Sequence, residues 1–370
     1  MMGSSTTNVD ELMARLPEGY EEASRSSKAF KRVREIKTAQ DLIKLIFLYV
    51  TGGYSQLEMS VIAGSLGIAE ISDVAFLKRF AKCREWLEWI ISQIIPASII
   101  EYSVPTSFEG YTLVALDASD VTEKGKAKRI FRLHYAINIM RMCAVSFKIT
   151  SQRVGETLLN FDVKENWIIL ADRVYGTLTG IEHCLKSKAN FVLRLRYGAF
   201  KLYNKDGSDF DLLEKLRGTT CGTACGTAID LEVYVQLATL GLTKLRICAT
   251  RIPDDKIESV DRRNRRKASK KQAAASPDAL TMSHYVVVIT ALPPSITSDE
   301  ITSLYRLRWQ IEIYFKRLKS ILDLGNIPLR REDSIFTWLN GKLLVSLLIE
   351  QMLSEVSFSP QRFNLKKPLA

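Results

Sequence analysis

GYTLVALDAS, residues 110–119, decides the fold: an apolar run closes directly on a carboxylate, Asp117. The same arrangement returns in NWIILADRVYGT, residues 166–177, where the closing carboxylate is Asp172. Between them, RIFRLHYAINIM (129–140) and AVSFKITSQ (144–152) read as two more strands, with a hairpin between Met140 and Ala144. GETLLNFDV (155–163) reads as a short helix, GTLTGIEHCLKSKAN (176–190) as a longer one, and FVLRLRYG (191–198) as a fifth strand. Three hairpin-like strands, then helix, strand, helix and strand, predict a mixed α/β sheet.

That order resembles an RNase H-like core, in which the first and fourth strands lie side by side. The rest of the chain is arranged around it. Residues 1–105 read as an N-terminal helical domain with a polar, loosely ordered start. Within it, Thr38 is a plausible cap for KTAQDLIKLIFLYV. A helix over Leu57–Leu66, a break at Gly67 and a second helix capped by Ser72 or Asp73 resemble a helix-turn-helix unit. The second helix and its exit carry Lys78, Arg79, Lys82 and Arg84, which suits DNA contact as well as plain helical packing. The core's first part is expected over 106–197, a β-rich insertion over 198–281, the core's second part over 282–330 and a C-terminal helical segment over 331–370.

FKLYN, AIDLEVYVQL and TKLRICATRI supply the short β-stretches of the insertion. It also holds RRNRRKASKK, residues 262–271, with seven basic residues and no acidic one. Such a tract is expected to be a solvated loop. Its Arg262, Arg263, Arg265, Arg266 and Lys267 can still touch DNA, because counterion release needs only proximity to phosphates.

The net charge is +11, from 52 Lys and Arg against 41 Asp and Glu, which favours a polyanionic partner. No apolar run is long enough to span a bilayer and the N-terminus lacks an apolar signal core. The expectation is a soluble cytosolic protein that meets nucleic acid and no membrane. The six cysteines (83, 143, 184, 221, 225 and 248) form no CxxC pair or zinc site and read as reduced thiols.

YRLRWQIEIYFKRLK, residues 305–319, follows a capping box of Thr297 and Glu300. On one continuous helix at about 100° per residue, Arg308, Glu312, Lys316 and Lys319 fall within about 60° of Tyr305, on the non-core side. Leu304, Leu307, Ile311, Phe315, Leu318 and Leu322 form a separate apolar stripe. One carboxylate among cations suits a phosphate-bearing ligand with a metal. Asp117 and Asp172, on neighbouring strands, lie close together and repel unless a cation joins them. With Glu312 they make an oxygen-only donor set that suits Mg²⁺, as two ions, with Mn²⁺ a possible substitute. Asp120 is a rival for the role of Asp117. His134 reads as a packing or hydrogen-bonding residue.

With these residues in view, the chain resembles the DDE transposases of bacterial insertion sequences, over roughly residues 30–350. It is most similar to the subgroup with a Tyr-x2-Arg-x3-Glu-x6-Lys signature, here Tyr305, Arg308, Glu312 and Lys319. The resemblance implies that Asp117, Asp172 and Glu312 bind two Mg²⁺ ions and that Tyr305, Arg308 and Lys319 hold phosphates of the transposon end. It implies a homodimer on paired ends that nicks double-stranded DNA at inverted terminal repeats and joins it to target DNA. It also implies that the N-terminal helices recognise those ends. The basic tract at 262–271 has no place in the family pattern; it either grips target DNA or is a local surface feature. Two other readings stay open: an RNase H-like nuclease that only cuts, and a non-catalytic DNA-binding relic of an insertion sequence.

Overall fold

The computed structural model describes residues 9–97, 106–123, 130–140, 143–219, 228–270, 272–321 and 326–355. Helices come first: α1 (Tyr20–Ser26), α2 (Ala39–Gly52), α3 (Gln56–Ser65), α4 (Asp73–Phe80) and α5 (Arg84–Ala97). Local chemistry sets where they start. The Thr38 hydroxyl accepts a hydrogen bond from the Asp41 amide at 2.9 Å, and the Asp41 carboxylate accepts one from the Thr38 amide at 3.1 Å. Two otherwise orphaned donors are satisfied reciprocally. Ser55 and Glu58 do the same for α3, while the Ser72 side chain caps α4. Gly67 separates α3 from α4 at φ +64°, a conformation that L side chains rarely adopt, so the expected helix, glycine turn and helix are present.

β1 (Thr112–Glu123), β2 (Ile130–Asn138), β3 (Cys143–Ser151), β4 (Trp167–Ala171), β5 (Asn190–Arg194), β6 (Ala228–Leu237), β7 (Gly241–Arg251) and β8 (Tyr285–Thr290) form one sheet in the order β3-β2-β1-β4-β5-β8-β7-β6. A short β9 (Asn326–Ile327) pairs with β1. β1, β2 and β3 are antiparallel neighbours, whereas β1, β4 and β5 run parallel. The first and fourth strands are thus adjacent, as in an RNase H-like sheet. WIILA of β4 is buried at every position, as a central parallel strand covered on both faces must be.

One helix, α6 (Leu178–Lys186), links β4 to β5. The helix expected over 155–163 is only a 3₁₀ turn at Leu158–Asn160. In the insertion, β6 and β7 dock on β8 and extend the main sheet, while FKLYN contributes isolated bridges from Tyr203 to Asp209 and Tyr234. The insertion also holds α7 (Leu212–Thr219), α8 (Asp254–Ser269) and α9 (Pro277–Ser283). The solvated loop expected at 262–271 is therefore corrected: through Ser269 it is helix α8, with Lys271 outside the described residues. Asp254 and Asp255 lie at the positive end of the helix dipole, and Arg266 and Lys267 at the negative end. Glu258 pairs with Arg262 one turn on at 2.8 Å, and His284 holds Asp261 at 2.9 Å. Charge placement, more than burial, makes this helix, since none of its residues is buried.

The sheet divides the interior. Leu113, Ala115, Tyr135 and Ile137 face a core shared with the N-terminal helices and with α10 (Ser298–Arg306), α11 (Gln310–Ile321) and α12 (Glu332–Glu355). Val114, Leu116 and Ile169 face a second core with α6, α7 and the β6–β8 strands. In α12, Ile335, Leu339, Leu343 and Leu347 are buried, and so are Phe336, Trp338, Leu344 and Leu348 on other faces. A helix apolar on so many sides belongs inside a protein; no helix among the described residues is long and apolar enough to cross a membrane. Cys83, Cys143, Cys184 and Cys248 are buried free thiols, whereas Cys221 and Cys225 lie outside the described residues.

His134 is fully buried on β2, where it packs edge-on to Phe161. Its Nε2 lies 2.9 Å from the Thr150 hydroxyl, and its Nδ1 3.5 Å from the Asn160 amide nitrogen. Burial first, then Arg132 and Lys148, push its pKa down to about 4, with Asp120 opposing. The unfolded chain therefore binds this proton more readily than the folded one. Stability is intact above pH ~6.5, the unfolded value, and is lost as pH falls toward about 4. One side chain should lower stability by about 1–2 kcal/mol between about pH 7.5 and about pH 5. Urea unfolding of wild type and His134→Gln at both pH values checks this; an equal pH dependence in the two proteins sinks it.

Candidate active site

Three parallel strands bring the chemistry together where β4 and β5 end; β1 continues past this level to Glu123, which corrects the expectation that Asp117 closes its strand. Ala115 pairs with Leu170, so continuing that register by two residues sets Asp117 abreast of Asp172. Ala171 pairs with Leu193, so continuing by one residue sets Asp172 abreast of Arg194. Adjacent strands lie about 4.8 Å apart. Asp117, Asp172 and Arg194 thus form a row across the crevice end of the sheet, the usual ligand position in an open α/β fold.

Asp117 is held within this row. Its Oδ1 accepts the Ala118 amide at 2.8 Å, and Arg308 Nη1 lies 3.9 Å from Oδ2. Burial pushes its pKa up to about 6; the Ala118 amide and Arg308 oppose this, while Glu156 and Glu312 add to it. Asp120, three residues further along β1, points to the opposite face. It pairs with Arg132 at 2.8 Å, and Arg132 lies 3.6 Å from Glu156. Asp172 leaves β4 into a tight turn in which the Tyr175 amide donates to its carbonyl at 3.0 Å. Gly176 completes the turn: a Cβ there would meet the Arg194 carbonyl oxygen at 3.1 Å, so a side chain would push the loop away from β5.

Glu312 comes from the first turn of α11, where Arg308 Nη2 donates to its Oε1 at 2.6 Å. The Arg308 side chain is 15% exposed and that of Glu312 57%. Arg308 therefore touches two of the three acids and feels the charge of Asp172 as well. The single continuous helix expected here is corrected. α10 ends at Arg306, Leu307–Trp309 form a 3₁₀ turn, and α11 starts at Gln310. A 3₁₀ turn winds at about 120° per residue against about 100° in an α-helix, which rotates Tyr305 by about 60° relative to Glu312. Tyr305 is consequently buried and not on the non-core side, as are Leu304, Leu307, Ile311 and Phe315. Lys316 and Lys319 lie exposed further along α11.

Sequence reading missed four neighbours. Glu156 and Tyr175 lie within electrostatic range of Asp117, and Arg194 and Arg173 within range of Tyr305. Arg263 of α8 is felt at Arg173, which brings the basic helix toward the acids. Arg262, Arg265, Arg266 and Lys267 are exposed on the same helix. The Tyr175 hydroxyl is buried with no hydrogen-bond partner among the described residues, and the buried Tyr305 hydroxyl faces the Arg308 guanidinium. The signal for Arg194 was available: it ends an apolar run, just as the two aspartates do.

A mixed sheet with parallel central strands, one carrying Asp117 within it and the next followed directly by Asp172, crossed by an acid-bearing helix, defines an RNase H-like α/β protein. Residues 109–348 match the family described as Transposase DDE domain. The chain belongs to that family and is a transposase of the DDE class. It is 28% identical over 384 residues to InsL, the transposase ascribed to insertion sequence element IS186A of Escherichia coli strain K12, across 99% of this chain and 100% of the relative. It is likewise 28% identical over 385 residues to the transposase for insertion sequence element IS421 of Escherichia coli, with the same coverage.

Transposases of this class act with divalent metal ions. The donor chemistry here fits them: carboxylate oxygens, an orphaned buried hydroxyl, and no thiolate or imidazole in the row. Among the described residues, no three carboxylate, imidazole or thiolate groups converge on one position. Glu312 is turned to Arg308, and its exposed side chain is free to swing.

Proposed function

We propose that this transposase cuts DNA at the ends of its element and joins them to target DNA, with Asp117, Asp172 and Glu312 as the catalytic and metal-holding residues. The observation that carries this reading is Arg308, which reaches both Asp117 and Glu312; the β1–β4 register, paired as far as Ala115 and Leu170, supports it, since two residues further on it would bring Asp117 level with Asp172. Two bound Mg²⁺ or Mn²⁺ ions would supply Lewis-acid activation of the attacking and leaving oxygens of an in-line displacement.

This chain's own residues supply the rest. Asp117 and Asp172 present fixed oxygens from the rigid sheet, and Glu312 completes the set by turning from Arg308. Arg308, once released, holds a phosphate by its planar fork. Lys319, exposed on α11, contacts a further phosphate of the same end, whereas the buried Tyr305 supports Arg308, whose guanidinium lies 6.0 Å over its ring. The exposed cations Arg262, Arg263, Arg265, Arg266 and Lys267 of α8, with Lys316, give the DNA a basic bed next to the acids. The N-terminal helical domain binds the terminal repeats, and a homodimer holds two ends.

The test uses labelled duplexes copied from the DNA flanking the gene, with a plasmid target and Mg²⁺. Strand-joined products are the expected outcome. Hydrolysis alone would reduce the protein to a nuclease, and binding without cleavage to a relic.

A further inference from the structure

The turn between α1 and α2 and the outer wall of α4 enclose a concavity of about 560 Å³ that the catalytic site does not use. Seven cationic side chains line it, against one carboxylate, Glu35. Arg79 is the strut between its walls. Its guanidinium donates to the carbonyl oxygens of Ala29 at 3.4 Å and Arg32 at 3.1 Å, and lies 5.7 Å over the Phe30 ring. Phe30 and Ile36 are buried and anchor the turn from below.

The other cations are uncommitted. Lys28, Lys31, Arg32, Arg34, Lys78 and Lys82 are exposed, and among the described residues none has a carboxylate within ion-pair reach. Like charges crowded into a concavity repel, and a polyanion seated there relieves that repulsion. Lys78 near the end of α4 and Lys82 in the turn that follows it line this wall. Three of the four basic residues that sequence reading placed on the second helix and its exit, Lys78, Arg79 and Lys82, therefore border a trough, while Arg84 pairs with Glu88 and stacks on Phe336. An α-helix enters a major groove as a ridge; a trough accepts a phosphodiester strand. Four of the six uncommitted cations are lysines, compact point charges without the fork geometry that reads a base edge. The apolar lining is Ile36, Ile71 and Ala75, with no aromatic ring on which a nucleobase could stack.

We propose that this cleft is a separate DNA-binding site, which holds the backbone phosphates of double-stranded DNA and is blind to its sequence. It rests on the reading that the chain acts on DNA, and it adds a second grip beyond the acids and beyond any recognition of the ends.

The experiment uses the full chain and a Lys31→Gln/Lys78→Gln/Lys82→Gln variant, whose exposed positions leave folding intact by circular dichroism. Affinity is measured across a salt series for two short duplexes, one copied from the DNA flanking the gene and one with that sequence shuffled. The variant is expected to bind both duplexes more weakly by the same factor, on the order of tenfold. The slope of log affinity against log salt should become shallower by about 2–3, at about 0.9 for each phosphate that is no longer neutralised. The ratio of affinities for the two duplexes should stay at its wild-type value. A loss confined to the flanking-sequence duplex means the cleft reads bases and overturns the proposal. Unchanged affinity and slope, with wild type binding normally, overturn it too and leave the DNA reading standing. Failure of wild type to bind either duplex sinks both.

Discussion

Asp117→Ala, Asp172→Ala and Glu312→Ala should each lower DNA cleavage on the order of 10³-fold or more while leaving DNA affinity within a few-fold of wild type. The size follows from what is removed: several kcal/mol of charge stabilisation at the reacting phosphate, at 1.36 kcal/mol per tenfold in rate. Asp117→Asn should be nearly as damaging, because the amide matches the shape and lacks the charge. Affinity survives because the phosphate grip comes from cations on α8, α11 and the N-terminal cleft. Asp120→Ala is the internal control. Its carboxylate lies on the other face of β1, paired with Arg132 at 41% exposure, and such a pair contributes only about 0–1 kcal/mol to stability. It should cleave normally. Full cleavage by any of the three acid variants, measured in single turnover with Mg²⁺, removes that residue from the site; a dead Asp120→Ala would move the first acid to position 120.

Parts of this site can be read without coordinates because they depend on local pattern. An apolar run that ends on an aspartate announces a buried strand, and at β4 it also announces the strand's end; β1 instead runs on past Asp117 to Glu123, held by its pairing with β2, so Asp117 lies mid-strand. Thr297 with Glu300 announced the start of α10 equally well. What stayed hidden depends on register or on small phase changes. Nothing in FVLRLRYG says that Arg194 will stand beside Asp172; that follows only from the pairing of Ala171 with Leu193. No glycine or proline marks the 3₁₀ turn at Leu307–Trp309, yet it decides whether Tyr305 faces the core or the solvent. The α8 tract misleads by composition. Its helix is legible only when Pro253, Asp254, Asp255 and the Glu258–Arg262 spacing are taken with the basic run. The proposed phosphate cleft was half visible as lysines on α4 and its exit, but its other wall is an irregular turn with no pattern to read.

Arg246→Met should be among the most damaging single changes away from the acids, because one guanidinium ties the insertion to the arm that carries Arg308 and Glu312. Arg246 lies on β7 with 7% exposure. Its Nη1 donates to the carbonyl oxygens of Leu292 (3.0 Å), Pro293 (2.7 Å) and Ile296 (3.0 Å), and its Nε and Nη2 face the Asp230 carboxylate. Those three carbonyls belong to the loop between β8 and the start of α10. Methionine keeps the stem and the packing but satisfies none of them. A buried ion pair broken on one side costs about 3–5 kcal/mol. Asp230 is 40% exposed and recovers some hydration, so about 3 kcal/mol is expected here. The loop would then relax, and α10 and α11 would shift with it. A displacement near 1 Å at a reacting group can cost on the order of 10²-fold in rate, so the folded fraction should cleave at least about tenfold more slowly. Asp230→Asn separates the two roles: it retains the three carbonyl bonds, and should lose about 1 kcal/mol or less and cleave almost normally. Urea unfolding and single-turnover cleavage on the same preparations decide the matter. A wild-type midpoint for Arg246→Met would show that the loop finds its place without the strut, and equal defects in both variants would assign the effect to the ion pair.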